Sequence, residues 1–284
     1  VWGRKLVTEI TSTDVDKLLN KVAEGRPRPH KEKPNNRAKK LQPSKPTPVR
    51  ANRIGEVLRK MFTLAVEWGW CEDNPAQRFH RRIETARERF LSKDEVNSLA
   101  AALDAAEDRR AADITRMCML TGARLGEVRQ ARFEQFNLEH MSWSKPPAMT
   151  KQRRVHRVPI SDETASIVRQ RQLMVPRGTP WLFPSDTPGQ PVQEVRRFWA
   201  QIQKQCGIQE VHIHDLRHAF AVRRLGLWHE QGVDVGQQML ALSTYLGHVK
   251  VSSTYWYLTA VPELMGLLGQ AFERYASPWE DGDE

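Results

Sequence analysis

The sequence predicts a mainly α-helical chain carrying one small antiparallel β-sheet. Two observations lead there: apolar residues recur at helical spacing through most of the chain, and a convincing strand pattern is confined to residues 141–160. No internal repeat is present. The 284 residues suffice for one or two domains with real cores. No apolar run approaches the roughly 18–20 residues of a membrane span, and no signal-peptide pattern opens the chain. Cys71, Cys118 and Cys206 are odd in number, widely spaced and in no C-x-x-C pair. A disulfide framework and a clustered zinc site are therefore disfavoured, and a reducing cytoplasm fits best.

Charge is distributed unevenly. Residues 1–90 hold 21 Lys+Arg against 11 Asp+Glu, an excess of +10, whereas residues 91–284 hold 23 against 23. A basic module joined to a neutral one suggests a part that grips a polyanion and a part that works on it, although a basic solvated surface would look the same.

Taken in order, residues 11–23 read as a short helix capped by Thr11, Ser12 or Thr13, with Val15, Leu18, Leu19 and Val22 on one face. Residues 25–50 carry nine Lys+Arg, one acid (Glu32) and six prolines, the composition of a flexible basic loop. An amphipathic helix follows over 50–68, with Ile54, Val57, Leu58, Met61, Phe62, Ala65 and Val66 on its apolar side. Gly69 ends it and Asn74-Pro75 turns the chain. Residues 78–90 read as a basic linker. Ser92 and Glu95 form a capping box that opens a second domain, whose first helix carries Val96, Leu99 and Leu103. A buried helix over 111–120 stops at Gly122, and another begins near Leu125. Strands within 141–160 flank the charged turn Lys151-Gln152-Arg153-Arg154. Further helices are expected at 162–173, 192–206, 214–225, 236–245, 251–258 and 262–275.

Six residues suggest chemistry. Arg124 follows a glycine turn and opens a helix, where a phosphate would meet both a guanidinium fork and a helix N-terminus; the alternative is an ordinary pair with Glu127. His214 and Arg217, three apart, share a helix face. His214 and His218 are an i, i+4 pair, but without the glutamate of a zinc helix, so no metal is expected. His248 follows the stop Leu246-Gly247 and would start a helix that carries Tyr257 two and a half turns on, where the alternative is aromatic packing beside Tyr255 and Trp256. Tyrosine titrates near 10, so its hydroxyl needs help to attack a phosphodiester. Two arginines aimed at the nonbridging oxygens can stand in for a metal ion. Lys151, on the hairpin turn, is a candidate to protonate the leaving 5′ oxygen.

These residues, in this order, resemble the tyrosine recombinase (phage integrase) family: Thr-Gly-Ala-Arg with Arg124, Thr-Lys with Lys151, His-x-x-Arg with His214 and Arg217, Leu-Gly-His with His248, and Tyr257 nine residues later. The resemblance covers nearly all of residues 90–260. Phe62–Trp70 followed by Asn74-Pro75-Ala76 is similar to the close of that family's core-binding domain. The resemblance implies a two-domain DNA clamp: a SAM-like helical core-binding domain over 1–79, a basic linker over 80–90, and a catalytic domain over 91–284. It further implies a site-specific recombinase in which Tyr257 forms a 3′-phosphotyrosyl bond, with neither ATP, metal nor other cofactor. Arg124 and Arg217 would hold the phosphate, Lys151 act as general acid, His214 as general base and His248 as a phosphate donor, with Glu127 orienting the site.

Arg37, Lys39, Lys40, Lys45, Arg50, Arg53, Lys60, Arg81, Arg82, Arg87, Arg153 and Arg154 are the candidate DNA-backbone contacts. Implied partners are double-stranded DNA, three further copies forming a tetramer on it, and DNA-bending or directionality proteins. Residues 262–275 would dock on a neighbouring subunit. Val1-Trp2-Gly3 resembles the turn after a first helix, so sequence is expected to precede it. The alternatives are a type IB topoisomerase-like enzyme and a DNA-binding regulator whose site has decayed.

Overall fold

The computed structural model describes residues 2–25, 45–84, 89–150 and 153–260. The chain divides into two compact units, Val1–Arg87 and Glu88–Glu284. Most of the loop 25–50, including Arg37, Lys39 and Lys40, lies outside the described residues, as do Arg87, Lys151 and the helix expected at 262–275.

In the first unit, α1 (Ser12–Glu24) starts at Thr11, whose hydroxyl accepts the Asp14 amide while the Asp14 carboxylate accepts the Thr11 amide. It packs on α2 (Pro48–Glu67), which begins two residues before the expected start because Pro48 fits the first helical position. The apolar face of α2 matches the one read in sequence in part, with Ile54, Leu58, Phe62 and Ala65 turned inward. Ala51, Gly55, Phe62 and Ala65 are buried, while Val57 and Met61 are 58% and 59% exposed. Small residues such as Ala51 and Gly55 widen the inner stripe by permitting close approach, a contribution that periodicity of large apolar residues does not reveal. Phe79 occupies the space above Gly55, where a Cβ would meet its ring at 2.5 Å. Buried Asn52 then bonds both ways with the Arg82 backbone, at 2.8 Å each. The stretch read as linker from residue 78 is thus partly built into the first unit's packing.

The second unit begins with α3 (Lys93–Asp104), opened by the Ser92–Glu95 capping box. Helix α4 (Arg109–Thr121) ends at Gly122 in the left-handed region, φ +59°. The short α5 (Leu125–Arg129) follows. Three strands, β1 (Phe136–Asn137), β2 (Ser142–Lys145) and β3 (His156–Pro159), form an antiparallel sheet in sequence order, with Trp143 opposite both Phe136 and Val158 and Lys145 opposite His156. β1 was not foreseen, since two residues are too few to show alternation.

Helices α6 (Asp162–Met174), α7 (Arg196–Cys206), α8 (Asp215–Glu230) and α9 (Val235–Leu246) complete the frame. Their core gathers Leu99, Ile114, Met117, Trp143, Val168, Phe183 and Leu216. A second cluster joins Ala221, Leu225, Met239, Leu242 and Leu246 to Tyr257. The helix expected over 251–258 is instead α10 (Ser252–Tyr255) followed by a 3₁₀ segment, Trp256–Ala260. His248 therefore precedes the helix and Tyr257 follows it.

Candidate active site

The glycine turn, the head of α8, the end of α9 and the 3₁₀ segment converge on one cluster. Arg217 is buried and spans the junction: Nη1 donates to the Gly122 carbonyl at 2.8 Å and Nη2 to that of Leu246. Both acceptors lie at helix ends, where carbonyls have lost their helical partners. Gly122 also permits a close approach, since a Cβ there would meet the Phe220 ring at 2.6 Å. Arg124, at the N-cap of α5, donates from Nη1 to Glu127 Oε1 at 2.8 Å. The pair with Glu127 that the sequence offered as the alternative is present, and it fixes the guanidinium.

Glu127 is buried and shared. Its Oε2 accepts from Lys145 Nζ at 2.8 Å, and the lysine side chain is only 3% exposed. Burial works to raise the Glu127 pKa, but Lys145 and Arg124 outweigh it and hold the carboxyl below its ordinary value. Burial depresses Lys145, with Glu127 opposing and Arg217 and Arg124 adding to the depression. Sequence reasoning missed this lysine. The available signal was the period-two face it shares with Trp143, whose ring lies 4.5 Å from Nζ.

Four imidazoles surround the arginines. His248 Nδ1 bonds Thr254 Oγ1 at 2.8 Å, and burial together with Arg217 and Arg124 lowers its pKa to about 4. His156 Nε2 bonds the Thr244 carbonyl at 2.9 Å; its pKa too is lowered, first by burial and then by Lys145. His214, at the N-cap of α8, is open to solvent, yet partial desolvation and then Arg217 and Arg124 draw its pKa down. His218, missed as a site residue, has Nδ1 3.0 Å from Tyr257 Oη. The sequence had shown it only as half of a rejected metal pair. Among the described residues no group of three metal-ligating side chains comes together.

Tyr257 is 2% exposed, and its ring lies 5.5 Å from that of His218 and 6.2 Å from that of His248. Burial raises its pKa, and interaction of the hydroxyl with Arg217 pulls the other way without prevailing. The structure thus brings together Arg124, Glu127, His214, Arg217, His248 and Tyr257 and adds Lys145, His156 and His218.

Of the candidate DNA contacts, Arg53 and Arg81 both pair with Glu56, at 2.9 and 3.1 Å, and Arg82 bonds Asn20 and the His80 carbonyl. Lys45, Arg50, Lys60, Arg153 and Arg154 are solvent-exposed.

Buried Arg217 and half-buried Arg124 thus lie in one cluster with the Tyr257 hydroxyl. Residues 89–263 match the Phage integrase family, and the chain belongs to it. It is 30% identical over 175 residues to the putative integrase/recombinase y4rB of Sinorhizobium fredii, covering 57% of this chain and 54% of that protein. It is 27% identical over 221 residues to the integrase of Escherichia phage P2, covering 77% of this chain and 57% of the phage protein. The chain therefore spans little more than half the length of either relative. A lambda integrase (75–356) dimer bound to a COC′ core site shares the fold with TM-score 0.64 and 16% identity, over 89% of this chain and 81% of that one. No described helix is long and apolar enough to cross a membrane.

Proposed function

We propose that this protein is a site-specific DNA recombinase of a mobile element, cleaving and rejoining strands through a 3′-phosphotyrosyl intermediate. The observation that carries the proposal is the convergence of Arg124, Arg217 and the Tyr257 hydroxyl in one cluster. Attack by Oη on a phosphodiester adds negative charge to the nonbridging oxygens, which the two guanidiniums stabilise. Glu127 and Lys145 hold Arg124 from below, and the carbonyls of Gly122 and Leu246 hold Arg217, so the donors are fixed before the reaction begins.

His214 and His248 act as further donors to the phosphate, and Lys151 protonates the leaving 5′ oxygen. Because the phosphotyrosine conserves the energy of the broken bond, the free 5′ hydroxyl of another strand can reverse the step without ATP. DNA is the partner, as the excess of positive charge in residues 1–90 and the DNA-bound lambda integrase of the same fold support. The first unit, to about residue 79, and the basic segment after it grip the backbone through Lys45, Arg50, Arg53, Lys60, Arg81 and Arg82. In the second unit Arg153 and Arg154 add contacts. Four copies act together on two sites, the segment 262–275 of each docking on a neighbour, with DNA-bending or directionality proteins setting the outcome.

The test is covalent capture on nicked duplexes taken from the ends of the element that carries the gene. In chelator, wild type yields an adduct stable on denaturing gels and Tyr257→Phe yields none. An adduct of undiminished yield with Tyr257→Phe would overturn the assignment of the nucleophile.

A further inference from the structure

The sequence resemblance gave the role of general base to His214, but it is His218 that touches the reacting atom. His218 Nδ1 lies 3.0 Å from Tyr257 Oη, within the range for proton transfer to an imidazole. The two rings are held from several sides. Tyr257 is buried, its ring 5.5 Å from His218, and Trp256 closes on His218 edge to face at 5.3 Å. His214 also meets His218 edge to face, with centroids 5.3 Å apart.

Resting on the recombinase reading of the site, we infer that His218 is a further catalytic residue, the base that takes the proton from Tyr257 when the tyrosine attacks DNA. The balance is complete. The Oη–H proton passes to Nδ1 of a neutral His218 protonated at Nε2, as the Oη–P bond forms and the P–O5′ bond breaks. The 5′ oxygen leaves with a proton from the general acid, Lys151 in that reading. On rejoining, the 5′ hydroxyl attacks phosphorus, its proton returns to the acid, and imidazolium His218 gives its own back to the departing phenolate.

The surroundings suit a base. Burial keeps the Tyr257 hydroxyl protonated at neutral pH, so attack needs an acceptor. Burial, His214 and Arg217 hold the His218 pKa below its ordinary value, with Asp215 opposing, so the ring is neutral and can accept the Oη–H proton at Nδ1. The charged and titratable groups facing it are His214, Asp215 and Arg217 from α8, Tyr257 from the 3₁₀ segment and His248 from the turn after α9. His214, more open to solvent and one turn earlier on α8, then modulates His218 and contacts the phosphate.

The experiment measures single-turnover adduct formation across pH for wild type, His218→Asn and Tyr257→Phe. The probe is a suicide duplex from the element's ends carrying a 5′-bridging phosphorothiolate, whose thiolate leaves without needing an acid. Asparagine keeps an acceptor near the Nδ1 position but cannot take a proton at neutral pH. If His218 is the base, His218→Asn is slower by about 10²–10⁴-fold on this probe. Its rate then climbs about tenfold per pH unit, as free phenolate becomes the nucleophile, whereas wild type levels off above an inflection below 6.5. Should the Asn variant melt early, His218→Ala is used instead, and added imidazole restores its rate. Near-wild-type rate and profile in His218→Asn, with Tyr257→Phe inactive, would overturn the inference and leave the recombinase reading standing. No adduct from wild type on any duplex from the element's ends would overturn both.

Discussion

Lys145→Met tests how the site is held. The substitution keeps most of the side-chain volume against Trp143 and removes the charge 2.8 Å from Glu127 Oε2. Breaking a buried pair by deleting one partner costs about 3–5 kcal/mol, because the other charge is left uncompensated. Here Arg124 remains on Oε1, so the lower end, about 3 kcal/mol, is expected. In a folded unit of this size that is a fall of about 6–12 °C in Tm.

Glu127→Gln should lose a similar amount, and the double variant distinctly less than the two together, by about 1–3 kcal/mol, since the two residues act as one unit. The sign with pH is also determined. In wild type the Glu127 carboxyl is held below its ordinary value, so its contribution is present above about pH 4.5 and lost below. Without Lys145 that pKa rises, the folded variant binds a proton more readily, and its deficit shrinks on acidification. The assay is thermal unfolding of the three variants at pH 8 and pH 5 by circular dichroism, with hydrogen exchange of the β2 amides to localise the loss. A Tm within about 1 °C of wild type, or losses that simply add, would refute the coupling of Lys145 to Glu127.

The histidines make a second pH prediction. His248, with a folded pKa of about 4, together with the lowered His156, His214 and His218, binds fewer protons folded than unfolded, so stability is full above pH 6.5 and falls as pH drops towards 4. After allowance for partial exposure the loss is about 1–2 kcal/mol, readable as a falling Tm between pH 7 and 5. Gly122→Ala should cost about 2–3 kcal/mol, combining a left-handed backbone with a Cβ driven into Phe220, and chemical denaturation measures it. Arg217→Lys cannot reproduce a fork that holds the Gly122 and Leu246 carbonyls together, and adduct formation should fall about 10²–10³-fold with DNA affinity, read by gel shift, changing far less.

Much of the site was legible because its residues sit at chain signals with local causes. Gly122 and Gly247 stop helices in the left-handed region, so Arg124 and His248 emerge at predictable turns. Arg217 follows His214 by one helical turn. The shared interest of Lys145 and Glu127 was not legible, because a buried ion pair 18 residues apart leaves no local trace. His218 was visible as a neighbour of Arg217, but its contact with Tyr257 spans 39 residues and depends on α8 meeting the 3₁₀ segment. That segment also misled the reading of Tyr257 as mid-helix, since Ser252, Ser253 and Thr254 start α10 several residues after His248. In α2, Ile54, Leu58 and Phe62 face inward as their spacing suggests, whereas the large Val57 and Met61 are exposed and the small Ala51 and Gly55 are buried, so size and burial disagree at those positions.

The most direct test of the central claim is the identity of the residue bonded to DNA. Wild-type protein trapped on a suicide duplex in chelator is digested with protease, and the DNA-linked peptide is sequenced by mass spectrometry. A recombinase with Tyr257 as its nucleophile gives a 3′-phosphate on Tyr257. A phosphate on the half-exposed Tyr255, on any other side chain, or a cleaved strand with no peptide attached, would contradict it.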